Sequence, residues 1–184
     1  DDGGNYVIGE NDKALASKLC HAGTDHRKFL RQIFVSVDIT APLYWWKEFD
    51  TYKVGTVRNS CSTMHKIHAK EFTLDNFSHE HLSWSGTDTL KSIIAKLNYY
   101  RDLYRRLDDD AMLSRDTVKT KKDAWWQIIQ LLPSSYNQQA TVQLNYQVLR
   151  NMYYSRKNHK LDEWHNFCHW IESLPYAKEL ICDG

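Results

Sequence analysis

The sequence has no excess of either charge, no long apolar run and no paired cysteines, and each absence removes a class of protein. Its 184 residues hold 24 Lys and Arg against 23 Asp and Glu, a net charge of +1. No basic stripe is available for a nucleic-acid polymer or an anionic membrane surface. No apolar run approaches the roughly 20 residues that a membrane span needs, and no signal peptide is visible. The four cysteines, Cys20, Cys61, Cys168 and Cys182, include no C-x-x-C pair. In a chain of this length they read as reduced thiols of a cytoplasmic protein rather than a disulfide framework. The chain opens Asp-Asp-Gly-Gly without a Met, so the expectation is that its natural N-terminus is missing.

Recognised catalytic devices are also missing. Nine His invite a metal reading, with His65/His68, His79/His81 and the i, i+4 pair His165/His169 beside Cys168. The H-E-x-x-H pattern is absent and spacing marks no third ligand, so no metal is expected. There is no G-x-S-x-G elbow, and Cys61 between Ser60 and Ser62 shows no dyad by spacing alone. Neither a P-loop nor a dinucleotide fingerprint occurs. Any nucleotide site must therefore hold its phosphates by another device.

What is present is a core's worth of apolar residues, 42%, with seven Trp and eleven Tyr. Such flat side chains fill cores and interfaces, and they also stack on bases or flavin rings. One domain over 1–184 is expected, with 1–12 as a loose lead-in. A short helix carries Leu15 and Leu19, and Gly23 is placed to stop it. Ile33, Val35, Val37 and Ile39 alternate with Phe34, Ser36 and Asp38, which predicts a strand. Pro42 opens an aromatic helix, LYWWKEF, and KVGTVRNS reads as a second strand with Gly55 inside it. Residues 71–87 read as a polar connection, with Thr87 or Asp88 capping the next helix. That helix runs through Leu90, Ile94, Leu97, Tyr100 and Tyr104 to the acidic run Asp108–Asp110, read as a solvated turn. Further helices are predicted over about 122–132, stopped by Pro133, about 138–156 and about 161–170, with a last turn after Pro175. The fold class is α+β: a small mixed or antiparallel sheet from the N-terminal half, packed with a helical C-terminal half.

The most informative stretch is 131–164, LLPSSYNQQATVQLNYQVLRNMYYSRKNHKLDEW. On the helix predicted there, Asn145, Leu149, Met152 and Arg156 share one face, and Arg156 stands at the end. A guanidinium so placed can fork onto a phosphate or a base carbonyl, and an Asn amide can both donate to and accept from a base edge. The alternative is purely structural: Asn145 caps or crosslinks helices, and Arg156 pairs with Asp162 or Glu163.

This stretch resembles the C-terminal signature of the flavin-dependent thymidylate synthases. There, Leu-Pro is followed by an Asn and then by a helix ending in Leu-x-x-x-x-x-x-Arg, with an acidic segment downstream. Leu132, Pro133, Asn145, Leu149, Asn151 and Arg156 stand at the matching positions. The front half resembles the family in order: His26 ahead of the strand, then the aromatic helix, then YKVGTVRNSCSTMH against the motif R-H-R-x-x-S-x-N-E-x-S-x-R-Y. Asn59 and Ser62 match the motif's Asn and second Ser. Tyr52, Lys53 and Val54 stand where it has Arg-His-Arg, Ser60 where it has Glu, Met64 and His65 where it has Arg-Tyr. Ile129 replaces an Arg four residues before the Pro.

The resemblance implies an enzyme that methylates a deoxyuridine nucleotide, dUMP to dTMP. FAD transfers the hydride, and methylene-tetrahydrofolate and NADPH are co-substrates. It makes Arg156 the first choice of functional residue, contacting the pyrimidine and stabilising charge that grows on its ring. Ser62 and Asn145 are expected on the substrate. His26, Lys53, Arg58 and Asn59 are expected on the flavin, with Lys53, Arg58, Lys66 and Arg150 as replacement cations. It also implies a homotetramer with sites between subunits, which Trp45, Trp46, Trp125 and Trp126 would suit. Two alternatives follow from the lost arginines: a non-catalytic nucleotide-binding relative, and a flavoenzyme that modifies another pyrimidine nucleotide.

Overall fold

The computed structural model describes residues 7–107 and 118–183; the predicted acidic turn at Asp108–Asp110 lies outside them. Helix α1 (Glu10–His21) leads through a 3-10 turn (Arg27–Gln32) into strand β1 (Phe34–Pro42). Then come α2 (Leu43–Phe49), β2 (Val57–Ser60) and the single turn α3 (Thr63–Lys66). The long α4 (Trp84–Arg106) and α5 (Lys121–Leu131) follow. The chain closes with β3 (Asn137–Asn145), α6 (Tyr146–Arg156), α7 (Asp162–Glu172) and a π-helical turn at Lys178–Cys182. None of the described helices is long and apolar enough to cross a membrane.

The class is α+β, as expected, with one three-stranded sheet in the order β1-β3-β2. Backbone N–H groups of Tyr146 and Leu43 donate to the carbonyls of Ile33 and Tyr136, and the Thr141 hydroxyl meets Asp38 at 2.6 Å. Partners thus run in opposite directions along β1 and β3, which is antiparallel pairing. Two expectations need correction here. The sheet does not come from the N-terminal half alone, because its central strand is β3. Nor does a helix run from 138 to 156: residues 137–145 are strand, and the helix begins only at Tyr146. Ala140, Val142 and Leu144 are buried while Thr141 and Gln143 are exposed, the period of two that a half-covered strand requires. Asn145 ends the strand and caps the helix.

The chain divides into two compact units, one of Asp1–Asp38, Phe49–Asn59 and Thr141–Gly184, the other of Ile39–Glu48 and Ser60–Ala140. In the first, α6 packs on the 27–32 turn, on α7 and on the C-terminal turn. Its core holds Leu30, Val142, Leu144, Leu149, Met152, Trp164, Ile171 and Ile181, all fully buried. Each such side chain is worth about 1.5–3 kcal/mol of burial. Residues 10–12, expected in the loose lead-in, are the first turn of α1. Lys13 of that helix pairs with Glu179 at 3.0 Å, and the backbone N–H of Ile8 donates to the Tyr176 hydroxyl.

In the second unit, α4 packs along α5 around Leu90, Ile94, Leu97, Tyr100, Ala124 and Ile128. Segment 71–87 is more than a polar connection. Phe72 and Phe77 are buried in this core, and the Asn98 amide clamps the Phe72 backbone from both sides, at 2.9 and 2.8 Å. The helix cap is Ser83, whose hydroxyl accepts from the Gly86 N–H, rather than Thr87 or Asp88; α4 starts a turn earlier because Ser83 has the extended backbone that a cap requires. Trp45 and Trp46 are buried, 1% and 2% exposed, and Trp46 Nε1 donates to the Gln138 carbonyl.

Candidate active site

The site in the first unit is built by the 49–59 segment, the two ends of α6 and the start of α7. Asn145 is the N-cap of α6: buried, with its side-chain oxygen accepting from the Val148 N–H at 3.0 Å. Opposite it lies Gly55, at φ 76°. A Cβ there would fall 2.8 Å from Asn145 Nδ2 and 3.0 Å from Val148 Cγ2. The residue is glycine for two reasons, its left-handed backbone and this close approach. The contact seats the loop against the head of α6.

At the other end of α6 stands Arg156. Its Nε donates to the Tyr52 hydroxyl at 2.8 Å. Its guanidinium lies over the Trp164 ring, 4.8 Å from the centroid, and the Tyr52 ring, at 5.5 Å. Trp164 is completely buried and stacks on Phe49, so one wall of this cradle is fixed. A cation at a helix C-terminus is also favoured by the helix dipole. Arg156 is thus a half-buried guanidinium held on two aromatic faces.

The other expected residues are spread over this segment and beyond. Arg58 is paired with Asp50, both carboxylate oxygens at 2.8 Å from Nη1. Lys53 is exposed on the loop before β2 and Asn59 is exposed within β2, with Val54 and Val57 strongly exposed beside Lys53 and Arg58. His26 is exposed at the entry to the 27–32 turn. Arg150 is buried, its Nη1 donating to the carbonyls of Leu180 and Ile181. Ser62 belongs to the other unit, where its hydroxyl caps α3 by accepting from the His65 N–H. There it lines a cleft of about 330 Å³ with Lys66, Lys70, Phe72, Tyr136 and Gln138. Burial raises the Tyr136 phenol above its ordinary value, with Cys61 adding to the effect. Among the described residues no group of three potential metal ligands comes together.

No protein-family model and no curated protein sequence matches the chain. Solved structures do. Flavin-dependent thymidylate synthase ThyX of Helicobacter pylori, in a crystal structure complexed with FAD and dUMP, matches over 95% of this chain and 84% of its own, with a TM-score of 0.63 at 17% identity. A second crystal structure of the same enzyme with FAD and dUMP gives 0.64 over 97% and 85%. The fold is that of the flavin-dependent thymidylate synthases.

Within the thymidylate synthase fold, Tyr52 and Trp164 are the two residues that the sequence did not single out for Arg156. In the sequence Tyr52 stands where the resembled motif has an Arg, and Trp164 closes the acidic segment. The usable signal was the aromatic character of both. The close approach that Gly55 implies in the sequence is made to Asn145.

Proposed function

We propose that the chain is a flavin-dependent enzyme that methylates a deoxyuridine nucleotide, with Arg156 as the residue that engages the pyrimidine. One observation carries the reading: a guanidinium fixed on the rings of Tyr52 and Trp164 at the end of α6, in a chain whose fold is that of an enzyme solved with FAD and dUMP. An oriented Arg can donate two parallel hydrogen bonds to a carbonyl or phosphate edge. In a site shielded from water it stabilises charge developing on a uracil ring.

The residues at hand fit a flavin dinucleotide, with fewer cations than the resembled motif supplies. Lys53 is exposed, makes no hydrogen bond or ion pair among the described residues, and would meet a flavin phosphate. Asn59 and His26 would donate to the same group, and the exposed Val54 and Val57 offer an apolar surface for a flat ring. Arg58 would contribute only at the expense of its pair with Asp50. When bound, the flavin supplies the hydride, a methylene-tetrahydrofolate the one-carbon unit and NADPH the reducing equivalents. Ser62, in the other unit, caps α3 and has no part in this reading of the site. Asn145 acts through its cap, holding α6 and thereby Arg156. A homotetramer in the cytoplasm belongs to the same reading.

The test is calorimetric titration of the purified chain, reconstituted with FAD, with dUMP. Arg156→Ala should weaken dUMP binding by roughly tenfold or more, the worth of a charge-assisted hydrogen bond, in a protein that loses about 1–2 kcal/mol of stability with its contacts to Tyr52 and Trp164 and stays folded at the titration temperature. Equal affinity in both proteins would remove Arg156 from the site. A flavin spectrum that persists through desalting, with no turnover of dUMP, would favour a flavoenzyme acting on another pyrimidine nucleotide.

A further inference from the structure

A second cationic feature lies on another side of α6. Arg150 and Arg156 are six residues apart, so their side chains leave the helix about 120° from one another. Arg150 lines a cleft of about 440 Å³ together with Arg27, Asn151, Tyr154 and Ser155. Among the described residues no carboxylate lines it. Arg150 is only 4% exposed, and its Nη1 is committed to the carbonyls of Leu180 at 3.2 Å and Ile181 at 2.8 Å. Those carbonyls belong to the C-terminal turn, and they hold the guanidinium in one orientation. Its Nε and Nη2, the side-on fork that suits a phosphate, have no hydrogen-bond partner among the described residues. The face of the group rests on the Tyr154 ring, 5.1 Å from the centroid.

Arg27 approaches the same place from the 27–32 turn. Its Nε is buried without a hydrogen-bond partner, and it forms no ion pair among the described residues. Both guanidinium groups also act on one atom: the buried Cys20 thiol is raised by burial, and Arg150 and Arg27 pull it the other way. Two like charges lining one cleft, with no acid among its described lining residues, repel each other and leave donors unmet. A doubly charged oxyanion would resolve both penalties at once.

We infer that the cleft lined by Arg27 and Arg150 is a binding site for a phosphate monoester. The phosphoryl group sits on the fork of Arg150 and on Arg27, and the Ser155 hydroxyl and Asn151 amide complete its shell. The cleft is larger than one phosphate, which leaves room for the organic part of a small ester. None of its lining residues is assigned above to the nucleotide or, apart from Arg150 as an early candidate cation, to the flavin. Arg150 and Arg156 leave α6 about 120° from one another, and Tyr52 and Trp164, which hold Arg156, do not line this cleft.

The probes are inorganic phosphate and ribose 5-phosphate, followed by 31P line broadening and by calorimetry. Saturable binding is expected for both. Tighter binding of ribose 5-phosphate supports the monoester site, and equal or tighter binding of inorganic phosphate overturns it. Arg27→Gln, at a half-exposed position, should weaken binding roughly tenfold and leave dUMP titration unchanged. Ser155→Ala should weaken it by a few-fold without loss of stability, which covers the case of an Arg27 variant that misfolds. Absence of saturable binding overturns the inference. So does binding that survives Arg27→Gln and Ser155→Ala but is lost in Arg156→Ala, because the anion would then occupy the nucleotide site and the proposed function would stand without this one.

Discussion

Gly55 offers a sharp test of how the loop and α6 are joined. Gly55→Ala places a methyl 2.8 Å from Asn145 Nδ2 and 3.0 Å from Val148 Cγ2, on a backbone at φ 76°. A side chain in the left-handed region costs about 1–2 kcal/mol. Overpacking against a fixed neighbour costs a further 1–3 kcal/mol or so, and the lower entropy of the unfolded chain returns about 0.4–1 kcal/mol. The net loss is about 2–4 kcal/mol. Gly23 is the natural control: at φ 114° its backbone is also strained for a side chain, but a Cβ there meets nothing within 4 Å. Gly23→Ala should therefore cost only about 1 kcal/mol. At roughly 2–4 °C per kcal/mol for a chain of this size, calorimetric melts should place Gly55→Ala about 4–16 °C below the parent and Gly23→Ala about 2–4 °C below it. A double-mutant cycle with Asn145→Ala isolates the contact: the cost of Gly55→Ala should fall by about 1 kcal/mol once the amide is gone. Equal losses at the two glycines, or a cycle with no coupling, would refute the close packing of the loop on the helix cap.

Three further outcomes are expected. Tyr52→Phe removes the 2.8 Å hydrogen bond to Arg156 but keeps the ring beneath it; it should cost about 1 kcal/mol of stability and weaken dUMP binding by a few-fold, measured by titration, whereas Tyr52→Ala should do worse on both. Asp123 is held below its ordinary value of 3.8 by the Thr120 hydroxyl and backbone, and Glu172 below 4.5 by Tyr153 and His169. A depressed carboxyl contributes stability that is complete above its ordinary value and is lost as the pH falls through the folded one, so Asp123→Asn and Glu172→Gln should each flatten the acid limb of a melting-temperature profile, and unchanged slopes would refute these hydrogen bonds. Of the four thiols only Cys61 is exposed, while burial pushes Cys168 up to about 11 and also raises Cys20 and Cys182; Ellman's reagent at pH 8 should show one fast thiol, and that phase should vanish in Cys61→Ser.

Much of the fold is written locally in the chain. The alternation of β1, the aromatic helix after Pro42 and the α5 stop at Pro133 all appear where period and breakers place them. The instructive failure is 137–145. Asn145, Leu149, Met152 and Arg156 keep a helical period, and continuing that period backward through QQATVQL hid the strand. The local evidence was there, since Ala140, Val142 and Leu144 alternate with polar residues and Thr141 and Val142 are β-branched. What was not local is pairing: β3 is a strand because β1 and β2 flank it, and the sequence carries no direct record of that. The same holds for the site. Arg156 could be chosen from the 131–164 stretch alone. Its partner Tyr52 is 104 residues away, and nothing short of the fold brings the two together.

The arrangement around Arg156 also bears on the arginines that this chain lacks. In the resembled motif the position of Tyr52 is an Arg. A second guanidinium in hydrogen-bonding reach of Arg156 would raise the local positive charge, and the pair would need an anion to be stable. Tyr52 instead accepts a hydrogen bond from Arg156 and offers it a π face. Together with Trp164 and the helix end, these contacts are worth about 2–4 kcal/mol, comparable to the roughly 2 kcal/mol of rotamer entropy lost when an Arg is held in place. The side chain is therefore set before any ligand arrives. A site built this way trades charge for pre-organisation. It favours a ligand with one well-placed acceptor edge over one that needs several cations, so the loss of arginines should weaken binding of a diphosphate more than recognition of a pyrimidine ring.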